Sequence, residues 1–256
     1  MMSRFVIEQL ESRTLLSATL VRLETTFGNI DIRLTDDVTP ITVTNFLNYV
    51  NSGRYNNTFF YRDSGAVIQG GGFTFPGFNR VPQDAAIVNE FQAGVTTNIR
   101  GTIGMAKTSD PNSATSDFFI NLTDNSSSFD NPLNSGGFTT FGTVSSDTLA
   151  TVDTIAAVPV SHTFQAPFDE IPLQNYSGSG TPTANNLVFV FRAEVLGHYT
   201  NSVSFGDNGV KAVTFTDGDG TLTTLSLKGG LGTVDFGSEV FETTNKGRAT
   251  VTGRRK

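Results

Sequence analysis

Residues 20–34 alternate cleanly between apolar and polar positions. Val21 and Leu23 stand against Arg22 and Glu24, and Ile30, Ile32 and Leu34 against Asp31 and Arg33. With Phe27-Gly28-Asn29 supplying turn residues between the two runs, the pattern predicts a β-hairpin. The period then changes. After Thr39-Pro40, with proline suited to a first helical turn, Val43, Phe46, Leu47 and Val50 recur at spacings of three and four. This marks one face of an amphipathic helix over about 40–51, stopped by Gly53. Short apolar runs follow on either side of Arg62 within 55–75, the second leading into Gly70-Gly71-Gly72. Two more, Ile103–Ala106 and Phe118–Leu122, are joined by a polar loop, and Thr140–Val144 reads as another strand. Leu149, Val152, Ile155 and Ala156 give a second helix near 147–157. Residues 161–186, rich in Pro, Gly, Ser and Asn, read as an insertion or long loop, and Leu187–Leu196 is a last strong strand.

Many short strands with two isolated helices predict a mainly β fold: a closed antiparallel barrel capped by two helices, because closure removes exposed strand edges. The organisation expected is a leader at 1–18, a barrel domain at 19–198 and a β-rich extension at 199–256. In the extension, Val213–Phe215 and Leu222–Leu227 flank Asp217-Gly218-Asp219-Gly220. The two aspartates could offer oxygens to calcium. Without the downstream glutamate of a full calcium loop, a hairpin turn is the expectation. The leader carries Arg4 and ends in the small residues Ser17-Ala18, but Glu8, Glu11 and Arg13 interrupt the apolar centre that a secretory signal needs. Its Leu10-Glu11-Ser12-Arg13-Thr14-Leu15-Leu16 resembles a short segment at the N-termini of many large exported bacterial proteins. An exported, extracellular or cell-surface location is therefore expected.

Composition narrows the function. Of 256 residues only 16% are charged, and the net charge of -7 argues against a nucleic-acid partner, which would need a basic face. The absence of cysteine excludes disulfides, thiol nucleophiles and thiolate metal sites. His162 and His198 have no nucleophile beside them in sequence, and no metal or other cofactor is implied. No apolar run reaches the roughly 18 residues of a membrane span. With 22 Phe and no Trp, aromatic packing must rest almost wholly on phenylalanine.

Four segments carry a specific likeness. Tyr55-Asn56-Asn57-Thr58-Phe59-Phe60-Tyr61-Arg62 with Val67-Ile68-Gln69-Gly70-Gly71-Gly72 resembles the Phe-His-Arg…Gln-Gly-Gly segment of the cyclophilins. Arg100-Gly101-Thr102-Ile103-Gly104-Met105-Ala106 resembles their Arg-Gly-x-x-x-Met-Ala strand. Ser113-Ala114-Thr115-Ser116-Asp117-Phe118-Phe119-Ile120 resembles their Ser-x-x-Ser-Gln-Phe-Phe-Ile, and Asn45-Phe46 fits as well. Family order and spacing hold across about 180 residues.

The resemblance implies a peptidyl-prolyl cis/trans isomerase acting on X–Pro bonds of exported or surface proteins, with proline-containing segments or unfolded chains as partners. It makes Arg62 the catalytic arginine, Gln69 a hydrogen-bond partner of substrate and Phe119 the floor of the proline pocket. It places Ala106 on the strand that pairs with substrate backbone, and Asp117, Phe129 and Phe138 around the pocket. The chain departs from the family pattern at several points. Ala66 falls where a pocket Phe is usual, Asp117 replaces Gln, and Tyr61 replaces the His before the arginine. One residue is missing between Arg62 and Gln69. These departures leave a second reading, a non-catalytic proline-peptide binding module of a cell-surface protein.

The chemistry is consistent with the residues themselves. Rotation about an amide C–N bond faces a barrier of about 18–20 kcal/mol from resonance, and X–Pro bonds isomerise slowly. No covalent step is needed, only a site that favours the twisted amide. A guanidinium near the proline nitrogen and carbonyl, within an apolar pocket, supplies that. Arg62 and Gln69 with Phe119, Phe129 and Phe138 form one such set.

Overall fold

The structure, a computed structural model, describes residues 17–205 and, beyond them, the strand segments 210–217, 222–228, 233–235, 240–241 and 250–251, with side chains described over 18–197. The leader, apart from its last two residues, lies outside the described residues, as do most of the turns of the C-terminal extension, Gly218-Asp219-Gly220 included.

The elements, in chain order, begin with β1 (Ser17–Thr25), β2 (Gly28–Leu34), helix α1 (Pro40–Asn51), β3 (Thr58–Phe59), β4 (Arg62–Asp63), β5 (Val67–Gly70), β6 (Phe73–Thr74) and β7 (Asn79–Arg80). They continue with β8 (Thr102–Met105), β9 (Phe118–Asn121), α2 (Ser126–Phe129), β10 (Thr140–Val144), α3 (Leu149–Ala156), β11 (Val160–Ser161), β12 (Ile171–Pro172), β13 (Phe189–Phe205), β14 (Val210–Asp217) and β15 (Leu222–Lys228). The opening hairpin matches its pattern: β1 pairs antiparallel with β2 from Leu20↔Arg33 to Thr25↔Gly28. Val21, Leu23, Ile30, Ile32 and Leu34 all point into the main core. The helix α1 buries Val43, Phe46 and Val50 as its period requires, and Tyr49 beside them. Its sister α3 buries Val152 and Ile155. The four-residue α2 was not predicted; SSSF carries no periodic signal of its own.

One large sheet runs in the order β4-β5-β9-β8-β10-β2-β1-β13-β3-β6-β7. Its two arms share a single stretch of chain. Residues 58–63 form β3 in one arm and β4 in the other; the Phe60 amide donates to the Val188 carbonyl (2.9 Å) and the Tyr61 amide to the Gln69 carbonyl (3.0 Å). The fold is thus mainly β, a curled half-barrel with few helices. The last strand, expected to end near Leu196, continues to Phe205 and pairs with β14.

The 161–186 stretch is more than a loop. Its first part closes on itself as β11 pairs with β12, and its side chains build a second apolar core. Ile171 and Leu173 are buried there with Phe59, Tyr61, Phe73, Leu187 and Phe189, and Phe164, Phe168 and Tyr176 pack against them. Phe168 alone lies 4.8 Å from Phe73 and 5.5 Å from Phe78, centroid to centroid. Aromatic pairs at such distances add about 0.5–1.5 kcal/mol each beyond their burial, enough to order a segment whose backbone composition alone reads as loop.

Candidate active site

Strand register assembles the site. Arg62 of β4 pairs with Gln69 of β5, Gln69 with Phe119 of β9, and Phe119 with Gly104 of β8. Directly opposed residues share a face of the sheet, so Arg62, Gln69 and Phe119 stand in one row across three strands. The adjacent row, Ile68, Ile120 and Ile103, points the other way into the main core. The pair Phe118-Phe119 divides accordingly. Phe118 is a core residue, whereas Phe119 belongs to neither core cluster although only 3% exposed.

Two further phenylalanines cover Phe119. The Phe129 ring stands edge-on at 5.5 Å, the Phe138 ring at 6.0 Å, and these two lie 4.9 Å apart. The backbone locks them together, with the Phe138 amide donating to the Phe129 carbonyl at 2.8 Å. The Lys107 ammonium sits 4.1 Å above the Phe138 ring and donates to the Ser135 carbonyl; its burial lowers its pKa. Underneath, Gly104 is a condition of the pocket. A Cβ there would come within 2.5 Å of Phe119 Cζ.

On the arginine side, Arg62 Nε forms an ion pair with Glu170 Oε2 at 2.8 Å, and its side chain is 38% exposed. Gln69 Nε2 donates to the Tyr61 hydroxyl, which donates in turn to Asp117 Oδ1 at 2.7 Å. Asp117 is then held in bidentate fashion by Arg80, at 3.1 and 2.7 Å. Burial, reinforced by the Asp117 charge, pushes the Tyr61 phenol far above its ordinary pKa. It therefore stays protonated and can both accept from Gln69 and donate to Asp117. Gly72 makes room for this relay, since a Cβ would reach Asp117 Oδ1 at 2.4 Å.

The sequence-predicted set is therefore brought together in large part. Arg62, Gln69, Phe119, Phe129 and Phe138 converge. Ala106 follows directly on β8, half-buried, its amide spent on the Asp117 carbonyl at 2.9 Å. The Asp117 carboxylate, by contrast, is buried and committed to Arg80 and Tyr61, so it braces Gln69 through Tyr61. Ala66 supplies no ring; its carbonyl accepts from the Leu122 amide and from Asn125 Nδ2. Sequence reasoning missed Glu170, Arg80, Lys107 and Gly104. Only Gly104 carried a signal, because a lone glycine inside an apolar strand marks close approach.

The family described as cyclophilin type peptidyl-prolyl cis-trans isomerase/CLD matches residues 20–177. This chain belongs to that family. Among cyclophilin relatives, it is 43% identical over 129 residues to peptidyl-prolyl cis-trans isomerase A of Dickeya dadantii, covering 50% of this chain and 66% of the relative. To a peptidyl-prolyl cis-trans isomerase of Acinetobacter baylyi it is 42% identical over 151 residues, 57% of this chain and 76% of the other. A crystal structure of a Cryptosporidium parvum cyclophilin-type isomerase shares the fold with a TM-score of 0.52 at 23% identity, covering 70% of this chain and 97% of that one. A second structure of that isomerase, in the presence of the dipeptide Ala-Pro, aligns with a TM-score of 0.50 at 22% identity, covering 69% of this chain and 98% of that one. Among the described residues, no helix is long and apolar enough to cross a membrane.

Proposed function

We infer that this cyclophilin isomerises X–Pro bonds in flexible or unfolded segments of exported or surface proteins. The observation that carries the reading is the row Arg62–Gln69–Phe119, a guanidinium and an amide beside an aromatic floor walled by Phe129 and Phe138. A proline ring seated against Phe119 loses water, and its amide lies beside Arg62. The planar ground state needs no charge there. In the twisted state the nitrogen regains its lone pair, and a fixed N–H fork stabilises it without reorganising. Gln69 is kept in place for the substrate backbone by the Tyr61–Asp117–Arg80 relay.

Export rests on the leader's likeness to the N-termini of exported proteins. The barrel reading rests on residues 58–63, which join both arms of the sheet and so leave them little room to part. The domain is taken to end near residue 198, with the extension as an attachment.

The test is exchange NMR on a short X–Pro peptide with wild type, Arg62→Ala, Arg62→Lys and Phe119→Ala, each first checked for folding. Arg62→Ala should lose about 2.7–4 kcal/mol of transition-state stabilisation, roughly a hundred- to a thousandfold in rate, by analogy with removal of one oxyanion-hole donor, while binding changes less. Lysine should not rescue, because it lacks the planar fork. Phe119→Ala should chiefly weaken binding. Proline-peptide binding without turnover by wild type would instead establish the binding-module reading.

A further inference from the structure

The 161–186 segment does more than pack against the barrel, for it delivers a carboxylate to the catalytic arginine. Glu170 is pinned on both sides. Two residues before it, Phe168 is wedged among Phe59, Phe73 and Phe78. Directly after it, Ile171 is 1% exposed and begins β12. Its own carbonyl accepts the Asp63 amide at 2.7 Å, so backbone and side chain both grip the short strand that carries Arg62. The carboxylate meets Arg62 at Nε, the stem side of the guanidinium. Among the described residues, no hydrogen bond reaches the two Nη groups, and Nε is the guanidinium nitrogen nearest the carboxylate.

We propose that Glu170 is a positioning residue for Arg62, tethering the guanidinium through Nε so that the Nη fork is held open toward the X–Pro amide. This rests on the isomerase reading above. A flexible arginine has several rotamers, and a tether at Nε fixes the plane of the group while leaving its outer donors unspent. At 30–38% side-chain exposure the pair is partly screened by water, so its value lies in orientation rather than in stability. The opposite role, a brake that occupies the guanidinium, would call for the carboxylate on the Nη groups.

The experiment compares full-length wild type, Glu170→Gln, Glu170→Asp and Glu170→Ala by exchange NMR on an X–Pro peptide, with the Arg62 Nε–Hε signal recorded in each. Glu170→Gln and Glu170→Ala should lower kcat about tenfold with KM within roughly twofold, since small misplacement of a catalytic group is costly. Melting temperatures should stay close to wild type, the Arg62 Nε–Hε signal should shift and broaden, and Glu170→Asp should recover part of the rate. Wild-type kinetics in Glu170→Ala would overturn the proposal, and faster turnover would overturn it in favour of a brake. A wild type without turnover sinks the isomerase reading. The positioning role is then decided by peptide titration: addition of peptide should move the Arg62 Nη signals in wild type but not in Glu170→Ala, and equal shifts in both would overturn it.

Discussion

Gly104→Ala offers the sharpest probe of the pocket, because it adds one methyl group and removes nothing. Its new Cβ would lie 2.5 Å from Phe119 Cζ and 3.0 Å from both Cε atoms. Carbon atoms rest at about 3.5–4.0 Å, so the ring must retreat by about 1 Å. It cannot do so freely, since Phe129 and Phe138 stand against it at 5.5 and 6.0 Å. Overpacking of this kind costs about 1–3 kcal/mol, partly offset by about 0.4–1 kcal/mol from a stiffer unfolded chain. The variant should therefore fold, with a modestly lower melting temperature. Catalysis should suffer more. Misplacement of about 1 Å can cost about a hundredfold, and kcat/KM for an X–Pro peptide should fall at least tenfold. Exchange NMR gives the rate, and the Phe119 ring signals report the displacement directly. Gly104→Ala combined with Phe119→Leu should regain stability without regaining turnover. A folded Gly104→Ala with kcat/KM within twofold of wild type would refute the idea that Phe119 is a fixed floor.

Removal of the Asp117 carboxylate by Asp117→Ala leaves the buried Tyr61 hydroxyl without its acceptor, and chemical denaturation should show a loss of about 1–3 kcal/mol; Asp117→Asn, which keeps an oxygen, should lose less. Asp63 is buried, and burial raises its carboxyl pKa, with Glu170 adding to the effect. A carboxylate held above its unfolded pKa weakens the fold at neutral pH, and this penalty fades as pH falls through the raised value toward the ordinary 3.8. Asp63→Asn, which retains the oxygen that accepts the Gly65 amide, should thus melt higher than wild type at pH 7, with the difference vanishing in acid. Truncation after residue 200 keeps the pairing of β1 with β13 through Ser17↔Thr200; the shortened chain should unfold cooperatively and isomerise peptides at the wild-type rate, and aggregation would place the domain boundary further on.

What the sequence disclosed follows from the range of each signal. The hairpin of 17–34 and the helices at 40–51 and 149–156 were legible because period-two and period-3.6 patterns are local. The row of Arg62, Gln69 and Phe119 was legible only through family likeness, since its geometry comes from the pairing of Gln69 with Phe119, 50 residues apart in the chain. Glu170 was not legible at all. It sits in a stretch whose Gly, Ser and Pro content reads as loop, and its position depends on Phe168 finding a core made by residues some hundred places earlier. The bracing role of Asp117 was hidden for the reverse reason. Its neighbour Phe119 does face the pocket, but the carboxylate's true partner, Arg80, lies 37 residues away on a two-residue strand.

The row across β4, β5, β9 and β8 has a consequence for production of the protein. Site and core are cut from the same strands on alternate residues, Phe119 outward and Phe118 and Ile120 inward. A slip of one residue between β5 and β9 would turn the isoleucines out and bury the pocket floor, since side chains alternate with period two. A misassembled molecule of that kind could keep its strand content by circular dichroism yet hold no proline ring. Specific activity is thus a census of correctly threaded molecules. In a refolding screen it should rank conditions by native yield, where a spectroscopic measure of strand content would count both populations alike.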